Sequence, residues 1–395
     1  MGAVEKMSGN PESTKLRVCH IISGDLWAGA ECQVVHLLSE LLKSETICLS
    51  AVTFNSGRLT DELNTLGVRV TCMPEKEMSA IQLTTGIREH LIQQGVNLIH
   101  CHGHKEHILG CIAGMSVKRR VRVVRTLHGM PEPFDGLAKA RLIFFHCVQE
   151  FFLRHRTDKV IAVSYDMQRR LSGKAWSDKI VCIHNGVEPN RIKPTVPRDE
   201  MRQRLGIGAN DFVIGTACRL VPIKRLDLLL EAFQMLQREH PDSLLLISGD
   251  GPLRQDLEKK ASSLGIVHKV RFLGHRDDIY NVITTFDIFA MTSEHEGVPM
   301  VLLEASHLGI PIVATNVGGI GEIITDNHFH ALIDGLSGVS ISDALSQKFR
   351  QLRDSAADLK ISRFPKQGIS VNRTAVKTIA LYQSILQDTV SCLVS

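Results

Sequence analysis

The sequence predicts two doubly wound α/β domains in series. Short runs of β-branched and aliphatic residues alternate with longer helical patterns, which is typical of parallel sheets with helices on both faces. The chain has 395 residues, a length at which two hydrophobic cores are more common than one. The alternation pauses over residues 187–201, where three prolines occur without apolar periodicity. That pause predicts a linker between the two domains.

The first half of the chain alternates strands and helices in the order expected of a parallel sheet. Its strand-like runs are residues 16–23, 47–54, 68–73, 97–103, 121–129, 159–164 and 179–186. We therefore predict a first Rossmann-like domain over residues 1–187 and a linker over residues 188–208.

The second half resumes the same alternation. Its strand-like runs are residues 211–220, 243–251, 270–274, 287–293 and 310–316. They predict a second Rossmann-like domain over residues 209–372, followed by a closing helix over residues 373–395. Ligands of such sheets bind beyond the carboxyl ends of the strands, so two of them predict a site in a central cleft between the domains.

Composition excludes several classes of protein. Apolar residues make up 44% and charged residues 22%, as in ordinary globular proteins, and a net charge of +4 does not indicate a nucleic-acid partner. The ten cysteines include no C-x-x-C pair, which favours reduced thiols in the cytoplasm. The first residues lack a signal-peptide pattern, and no apolar run reaches the ~20 residues of a membrane span. We expect a cytoplasmic protein.

Two carboxylates, Glu296 and Glu304, flank the start of a predicted helix that begins at Pro299 and ends before Gly309. Eight residues at ~1.5 Å each separate them by about 12 Å, beyond the roughly 5–9.5 Å of a glycosidase pair. They are better suited to holding two ends of one extended ligand. The N–H groups of residues 297–301 would then face an anion between them.

Cations and glycines follow the neighbouring strands of the second domain. Arg219 and Lys224 lie in "CRLVPIKR", where a diphosphate needs neutralising charge. Gly249 and Gly251 in "GDGP" permit close backbone approach. The stretch "NVGGIGEI" at 316–323 passes from a strand into a helix, which favours phosphate binding.

These stretches resemble one known family. The run through "RLVPIKRLDLLLEAF", "LLISGDGPLRQDLEKKASSLGI" and "EHEGVPMVLLEASHLGIPIVATNVGG" is similar to the nucleotide-sugar half of family-4 retaining glycosyltransferases of the GT-B fold. The resemblance is strong over residues 210–325. "SGDLWAGAECQV", "TLHG", "VIAVS" and "IHNGVE" match the first half of that family more weakly. The resemblance implies an acceptor-side first domain and a donor-binding second domain, with the closing helix packed back on the first.

The resemblance also implies roles for individual residues. Arg219 and Lys224 would hold the donor diphosphate, and Glu304 would accept hydrogen bonds from the ribose hydroxyls. Glu296, with the backbone that follows it, would hold the transferred sugar, and His128 would reach that sugar near the reacting carbon. The implied catalytic residues are His128 and Glu296, and the implied donor-binding residues are Gly29, Arg219, Lys224, Gly249, Gly251, Gly297, Val298, Pro299 and Glu304.

The chain departs from the family pattern at three places. Ala28 replaces the first glycine of a Gly-Gly-x-Glu loop, so a methyl group stands where the family loop, including Gly29, approaches the donor. Gly321 stands where the family often has proline. Beyond residue 325 the usual family segment is unrecognisable.

The sequence predicts no metal and no cofactor other than the donor substrate. No Asp-x-Asp triplet is present to clamp a divalent ion on a diphosphate, and Arg219 and Lys224 can supply that charge. The histidine-rich stretch "HCHGHKEH" at 100–107 has the composition of a zinc site, but its strand and loop positions fit a cleft rim better.

Three other functions are compatible with a doubly wound fold. A dinucleotide oxidoreductase is disfavoured because G-x-G-x-x-G is missing. A GT-B nucleotide-sugar epimerase would transfer to no acceptor. A non-catalytic scaffold that binds nucleotide sugar in a polysaccharide complex is disfavoured by the intact Arg219, Lys224, Glu296 and Glu304.

A basic segment raises the question of membrane contact. Residues 118–179 carry 14 Lys and Arg against 6 Asp and Glu. Within them "RLIFFHCVQEFFLRHR" at 141–156 places Phe144, Phe145, Val148, Phe151 and Phe152 on one helical face, typical of a helix lying in an anionic membrane surface. A packed core helix is the other interpretation.

Together these observations predict a metal-independent retaining glycosyltransferase. Its donor would be a nucleotide-diphosphate sugar, in particular a UDP-sugar, and its acceptor a glycan or a lipid-linked glycan, as in bacterial-type polysaccharide or lipopolysaccharide assembly. A lipid-linked acceptor at the inner face of the cytoplasmic membrane would account for the basic segment.

Overall fold

The computed structural model describes residues 15–25, 27–130, 139–324, 329–354 and 370–394, without the side chains of residues 139–144 and 388–394. The chain divides into two compact units. The first unit comprises Met1–Ala162, Arg170–Ile183 and Val371–Ser395, and the second comprises Val163–Arg169 and His184–Ser370. Each unit is built on one parallel sheet, the architecture that the sequence predicts.

The first half of the chain supplies the first sheet, whose strand order is β3-β2-β1-β4-β5-β6-β7. Its strands are β1 (Leu16–Ile22), β2 (Ile47–Thr53), β3 (Arg69–Cys72), β4 (Leu98–Cys101), β5 (Arg122–Leu127), β6 (Lys159–Ala162) and β7 (Ile180–Cys182). Its helices are α1 (Gly29–Leu41), α2 (Arg58–Thr65), α3 (Ala80–Gln93), α4 (His104–Met115), α5 (Lys139–His155) and α6 (Tyr165–Arg170).

The second half supplies the second sheet, in the order β10-β9-β8-β11-β12-β13. Its strands are β8 (Phe212–Ala217), β9 (Ser243–Ser248), β10 (Val270–Gly274), β11 (Ile288–Met291), β12 (Ile312–Thr315) and β13 (Ala331–Ile333). Its helices are α7 (Arg198–Arg204), α8 (Leu226–Glu239), α9 (Arg254–Ser263), α10 (Ile279–Ile283), α11 (Met300–His307), α12 (Ile320–Ile323) and α13 (Gly338–Asp354). The last helix, α14 (Val371–Val394), belongs to the first unit.

Alternating residues of the central strands supply the cores on both faces of each sheet. In β1, Val18 and Ile22 join the apolar cluster on one face, and Cys19 and Ile21 join the cluster on the other. The first of these clusters also contains Tyr382 of α14, so the C-terminal helix covers that face. Strands buried on both faces explain why the sequence shows continuous apolar runs there.

Each predicted strand is present, and the structure departs from the sequence analysis elsewhere. β13 was not predicted. Residues 188–208, predicted as a linker, carry α7 and lie in the second unit. There the buried guanidinium of Arg202 donates to carbonyls of Gly208, Asp211 and Thr285. The stretch 316–323 opens only the single turn α12, too short for the phosphate-binding helix that was predicted.

Both sheets reverse their strand order once. In the first sheet the reversal lies between β1 and β4, and in the second it lies between β8 and β11. Loops that leave neighbouring strands at such a reversal diverge to opposite faces and open a crevice at the carboxyl edge. The chemistry-bearing residues follow these strands.

Candidate functional site

Lys224 and Glu296 form the centre of the candidate site in the second unit. Lys224 follows β8 in a short turn, and Glu296 lies in the loop after β11. The Lys224 Nζ lies 2.5 Å from Glu296 Oε1, and the Ser293 hydroxyl donates to the same oxygen at 2.6 Å. The two charged side chains are only 19% and 11% exposed. The sequence assigned these residues to different parts of a ligand, whereas the structure joins them in one ion pair.

Backbone contacts hold this ion pair in place. The Thr292 hydroxyl donates to the Lys224 carbonyl at 3.0 Å, and the Thr315 hydroxyl donates to the Ser293 carbonyl at 2.6 Å. The Glu294 N–H donates to the Ile223 carbonyl at 2.8 Å. The turn after β8 is therefore tied to the loop after β11, and that loop is tied to β12.

Arg219 lies on the same edge but in a different environment. It is exposed after β8, and its side chain contacts no carboxylate within the described ranges. The neighbouring Arg225 adopts a left-handed conformation with φ 48° and binds Asp227 and Glu294. Of these cations, Arg219 is the one that can meet an incoming anion without breaking an ion pair.

Glu304 lies inside α11 and is buried. The hydroxyl of Tyr280, from α10, donates to Glu304 Oε1 at 3.3 Å. The helix begins after Pro299, one residue later than predicted, and ends before Gly309, whose φ is +76°. Tyr280 was not identified from the sequence, because a tyrosine 24 positions from its partner carries no local signal.

Glycines bring the loops of this edge together. A Cβ on Gly249 would lie 1.9 Å from the Cys218 carbonyl oxygen, and one on Gly251 would lie 2.5 Å from the Leu220 carbonyl oxygen. A Cβ on Gly318 would lie 1.8 Å from the Glu296 carbonyl oxygen. The sequence relates Gly249 and Gly251 to close approach of a ligand, which stays a prediction. In the structure the lack of a Cβ at these glycines also lets neighbouring loops approach each other.

The segment after Glu296 is buried and anchored. The Gly297 carbonyl accepts a hydrogen bond from Gly319 N–H at 2.8 Å, and the Val298 carbonyl accepts one from the Asn185 side chain at 3.1 Å. Pro299 then occupies the N-cap position of α11 without a side-chain hydrogen bond. The first N–H groups of a helix have no partner within that helix, so this anchored backbone can offer donors beside Glu296.

In the first unit, His128 follows β5. Its Nε2 lies 3.1 Å from Nδ1 of His102, which follows β4. Burial, assisted by the charge of Arg125, lowers the pKa of His128 to about 4. His128 is therefore a neutral imidazole at pH 7, able to exchange hydrogen bonds with a hydroxyl group.

A pocket of about 320 Å³ opens at the carboxyl edge of β1 and β4. Burial raises the pKa of Glu31 and of Glu106, which both line it. Glu31 also accepts from the Ala28 N–H at 3.2 Å, and Gly29 is the first residue of α1. The pocket is lined by Ile22, Ser23, Asp25, Ala30, Glu31, His102, Gly103, Lys105 and Glu106. Carboxyl groups and an imidazole at the strand reversal suit a ligand rich in hydroxyl groups.

Each histidine of the stretch 100–107 takes part in at least one hydrogen bond. His104 contacts Gln149 and the buried Arg125, and His107 lies 2.7 Å from the Thr157 hydroxyl. His20, His100 and His102 present nitrogen atoms within 4.8 Å of one another, a spacing that a metal ion could use. Both ring nitrogens of each of the three already have a hydrogen-bond partner.

Two family models match most of the chain. The model described as Glycosyltransferase Family 4 matches residues 27–191, and the model described as Glycosyl transferases group 1 matches residues 197–358. UDP-Gal:alpha-D-GlcNAc-diphosphoundecaprenol alpha-1,3-galactosyltransferase of Escherichia coli is 26% identical over 340 residues, 82% of this chain and 86% of that protein. GDP-mannose-dependent alpha-(1-6)-phosphatidylinositol monomannoside mannosyltransferase of Mycolicibacterium smegmatis is 31% identical over 261 residues, 63% and 66% of the two chains.

Solved structures share the fold. Anabaena Alr3699/HepE in complex with UDP and glucose has a TM-score of 0.71 at 21% identity, covering 96% of this chain and 99% of that chain. WaaG, a glycosyltransferase involved in lipopolysaccharide biosynthesis, has a TM-score of 0.64 at 15% identity, covering 89% and 98%.

Proposed function

The chain belongs to the family-4 glycosyltransferases and has their GT-B fold, and from this premise we propose that it is a retaining enzyme that transfers a sugar from a nucleotide-diphosphate sugar to a glycan or lipid-linked glycan. The observation that carries the proposal is the part-buried Lys224–Glu296 ion pair at the strand reversal of the second sheet, beside Arg219, which has no carboxylate partner within the described ranges. The cations can neutralise a diphosphate there, and the carboxylate can accept hydrogen bonds from the hydroxyl groups of a sugar.

Each donor group has a candidate partner in the second unit. Arg219 binds the diphosphate directly, while the Lys224 ammonium group binds both the phosphate and Glu296. Glu296 and the backbone of residues 297–299 hold the sugar. Glu304, already accepting from Tyr280, receives the ribose hydroxyls. Two arginine or lysine charges can replace a divalent ion on the diphosphate, so we propose that the reaction is metal-independent.

The donor we propose is a UDP-sugar. The relative from Escherichia coli is named for UDP-Gal, and the similar Anabaena structure contains UDP. The relative from Mycolicibacterium smegmatis is named for GDP-mannose, which makes a guanosine donor the competing choice. Bacterial-type polysaccharide or lipopolysaccharide assembly would use such a transfer.

His128 is the proposed catalytic residue of the first unit. Since burial keeps its imidazole neutral, it positions a sugar hydroxyl by hydrogen bonding and does not bring a positive charge close to the reacting carbon. The pocket beside it, lined by Glu31 and Glu106, is our candidate for the acceptor sugar.

We also propose that the first unit binds an anionic membrane surface. Within the part of the chain that is described, no helix has both the length and the apolar character to cross a bilayer. On α5, Phe145 is 46% exposed and Phe151 is 55% exposed, while Phe152 is buried. Phe144 lies outside the described side chains. Near them a basic pocket of about 560 Å³ includes Lys118, Arg120 and Arg156. Exposed aromatic rings beside basic residues suit a lipid interface.

Incubation with a panel of UDP-, GDP- and ADP-sugars tests the function. We expect slow hydrolysis of one donor class without acceptor, with the anomeric configuration retained, and no loss of rate on adding EDTA. Conversion of the sugar to its epimer without release of the nucleotide would favour the epimerase. Donor binding without any turnover, even with lipid-linked acceptors, would favour the scaffold.

A further inference from the structure

A continuous chain of hydrogen bonds leads from the C-terminal helix to His128. Tyr382 of α14 contacts His100 Nδ1 at 2.5 Å and His20 Nε2 at 3.5 Å. His20 Nδ1 lies 2.9 Å from His102 Nε2, and His102 Nδ1 lies 3.1 Å from His128 Nε2. At the end opposite to His128, the Thr126 hydroxyl lies 2.7 Å from His100 Nε2. We call these residues the histidine chain: Thr126, His100, Tyr382, His20, His102 and His128.

Strand geometry explains why these side chains meet. His20 on β1 lies directly opposite His100 on β4 in the parallel register. His102 is two residues after His100, and His128 is two residues after Thr126, so each pair projects to the same face of the sheet. This is the face that α14 covers with Tyr382. The aromatic rings of His100 and Tyr382 meet edge to face, with centroids 5.8 Å apart.

All four imidazoles are neutral. Burial lowers the pKa of His20 to about 3 and that of His128 to about 4, and it places the pKa values of His100 and His102 well below their usual range. A neutral imidazole has one N–H donor and one acceptor nitrogen. When such rings are hydrogen-bonded to one another, the nitrogen that carries the proton in one ring determines which nitrogen carries it in the next.

The hydroxyl of Tyr382 decides the direction. Of the two groups the phenol is the stronger proton donor and the imidazole nitrogen the stronger acceptor, so at the shorter of its two contacts, 2.5 Å, Tyr382 donates to His100 Nδ1. The tyrosine oxygen then faces His20 Nε2 with lone pairs, and only a proton on that nitrogen can meet them. His20 Nδ1 is then an acceptor, so His102 carries its proton on Nε2. His102 Nδ1 is an acceptor in turn, so His128 also carries its proton on Nε2. Nδ1 of His128 retains a lone pair, and it is buried with no partner among the described residues.

We propose that Tyr382, His20 and His102 are positioning residues that hold His128 in the Nε2–H tautomer, so that its Nδ1 accepts a hydrogen bond from a hydroxyl of the substrate sugar. The second half of this statement rests on the proposed function, whereas the tautomer does not. The opposite tautomer would offer an N–H at the same place and would require a sugar oxygen that accepts.

Nitrogen NMR tests the tautomer without reference to activity. The full chain is labelled with ring-¹⁵N histidine, and the signal of His128 is identified as the one lost in His128→Gln. We expect the Nε2–H pattern in the parent protein and a mixture of both tautomers in Tyr382→Phe. The matched control is His90→Gln, which removes another buried histidine of the same unit. His90 is hydrogen-bonded to Thr71 and Ser50 and does not belong to the histidine chain. It should leave the His128 signal unchanged.

The result that overturns the proposal is an Nδ1–H pattern in the parent protein, which needs no variant to fold. An unchanged pattern in folded Tyr382→Phe would also overturn it. Stoichiometric metal in the purified protein, measured by mass spectrometry, would replace the hydrogen-bonded chain by a metal site at His20, His100 and His102.

Kinetics test the link to the sugar. In Tyr382→Phe we expect kcat for donor hydrolysis to fall roughly three- to tenfold, the effect of weakening one hydrogen bond. KM and the UDP dissociation constant should stay within about twofold, because the proposed donor residues lie in the second unit. An unchanged kcat beside a changed tautomer would refute the positioning role. If the parent protein hydrolyses no nucleotide sugar, the proposed function fails. The tautomer of His128 is tested by NMR independently of that outcome.

Discussion

Lys224 and Glu296 show how one contact changes the meaning of two residues. The sequence identifies both, because each follows a strand of the second sheet in a recognisable motif. It does not reveal that they neutralise each other at 2.5 Å, because residues 72 positions apart carry no joint signal. Removal of one partner leaves the other charge partly buried and uncompensated, which costs more than the loss of the pair.

Alanine substitutions at the two cations should therefore differ. Arg219→Ala should raise the UDP dissociation constant by roughly tenfold, since a charge-assisted hydrogen bond is worth about 1.5–3 kcal/mol. Lys224→Ala should raise it further, because Glu296 then faces the phosphate without compensation. The double variant Lys224→Ala/Glu296→Gln should recover part of the loss. Titration calorimetry measures all three, with the exposed Lys259→Ala as control; equal affinities in every variant would refute the donor site.

The two carboxylates should separate binding from turnover. Glu304→Gln should chiefly weaken nucleoside binding, and Tyr280→Phe should weaken it less, since the tyrosine only orients Glu304. Glu296→Gln should chiefly lower kcat, because sugar contacts strengthen in the transition state. Steady-state kinetics with the preferred donor and calorimetry with UDP give the two quantities. The same ratio of kcat and binding losses in both variants would contradict their placement at different ends of the donor.

At the scale of elements, the strands were predictable and the loop contacts were not. Continuous apolar runs identify buried parallel strands such as β8 and β9, whose residues are buried throughout. β13 escaped prediction because it has three residues, of which only Ile333 is buried. α7 escaped because three prolines, the last of them at its N-cap Pro197, precede this charged helix and conceal its start. Loop glycines were recognised as special, but only the structure identifies their neighbours.

Gly251 should tolerate no side chain. The Cβ of Gly251→Ala would lie 2.5 Å from the Leu220 carbonyl oxygen, so the loop after β8 must shift. We expect a loss of stability well above the ~1 kcal/mol of backbone strain in the control, Gly265→Ala, where φ is +72° and a Cβ has no atom within 4 Å. Urea unfolding compares the two, and UDP affinity should fall only in Gly251→Ala. Equal stability losses would show that the loop moves freely.

Helix α5 should report on membrane contact. We expect the protein to sediment with anionic vesicles at low salt and to dissociate as salt rises, since each basic residue contributes about 1 kcal/mol and is screened over ~8–10 Å. Lys118→Glu/Arg120→Glu/Arg156→Glu, or Phe151→Ser, should weaken sedimentation at unchanged donor hydrolysis. Arg119 and Arg122 are unsuitable targets, since they bind backbone carbonyls and Asp158. Lys259→Glu in the second unit is the charge control, and absence of vesicle binding in the parent protein would remove the proposal.

For the molecule as a whole, buried histidines make the first unit sensitive to acid. Burial lowers the pKa of His90 to about 4 from 6.5. Between these values the unfolded chain binds a proton that the folded unit does not, so the free energy of unfolding falls as pH falls, by about 1.4 kcal/mol per pH unit for each such residue. Above pH 6.5 the same group is neutral in both states and contributes no pH dependence.

Fluorescence can isolate this effect. Both tryptophans, Trp27 and Trp176, lie in the first unit, so their emission follows its unfolding alone. The loss of stability between pH 7 and pH 5 should be smaller in His90→Gln than in the parent by about 2 kcal/mol. The partially exposed His146→Gln serves as control. A pH dependence that is the same in both variants would contradict the neutral state of His90.

The return of α14 to the first unit has a consequence for biosynthesis. His100 and Tyr382 are 282 positions apart, with the whole of residues 184–370 made between them. A growing chain on the ribosome therefore carries the first sheet with α1 and α2 on this face but without α14 throughout the synthesis of the second unit. Until Tyr382 emerges, His20 and His100 have no common partner and His128 has no fixed tautomer. Assembly of the histidine chain thus follows translation of the second unit, and the nascent chain must be protected from aggregation until then.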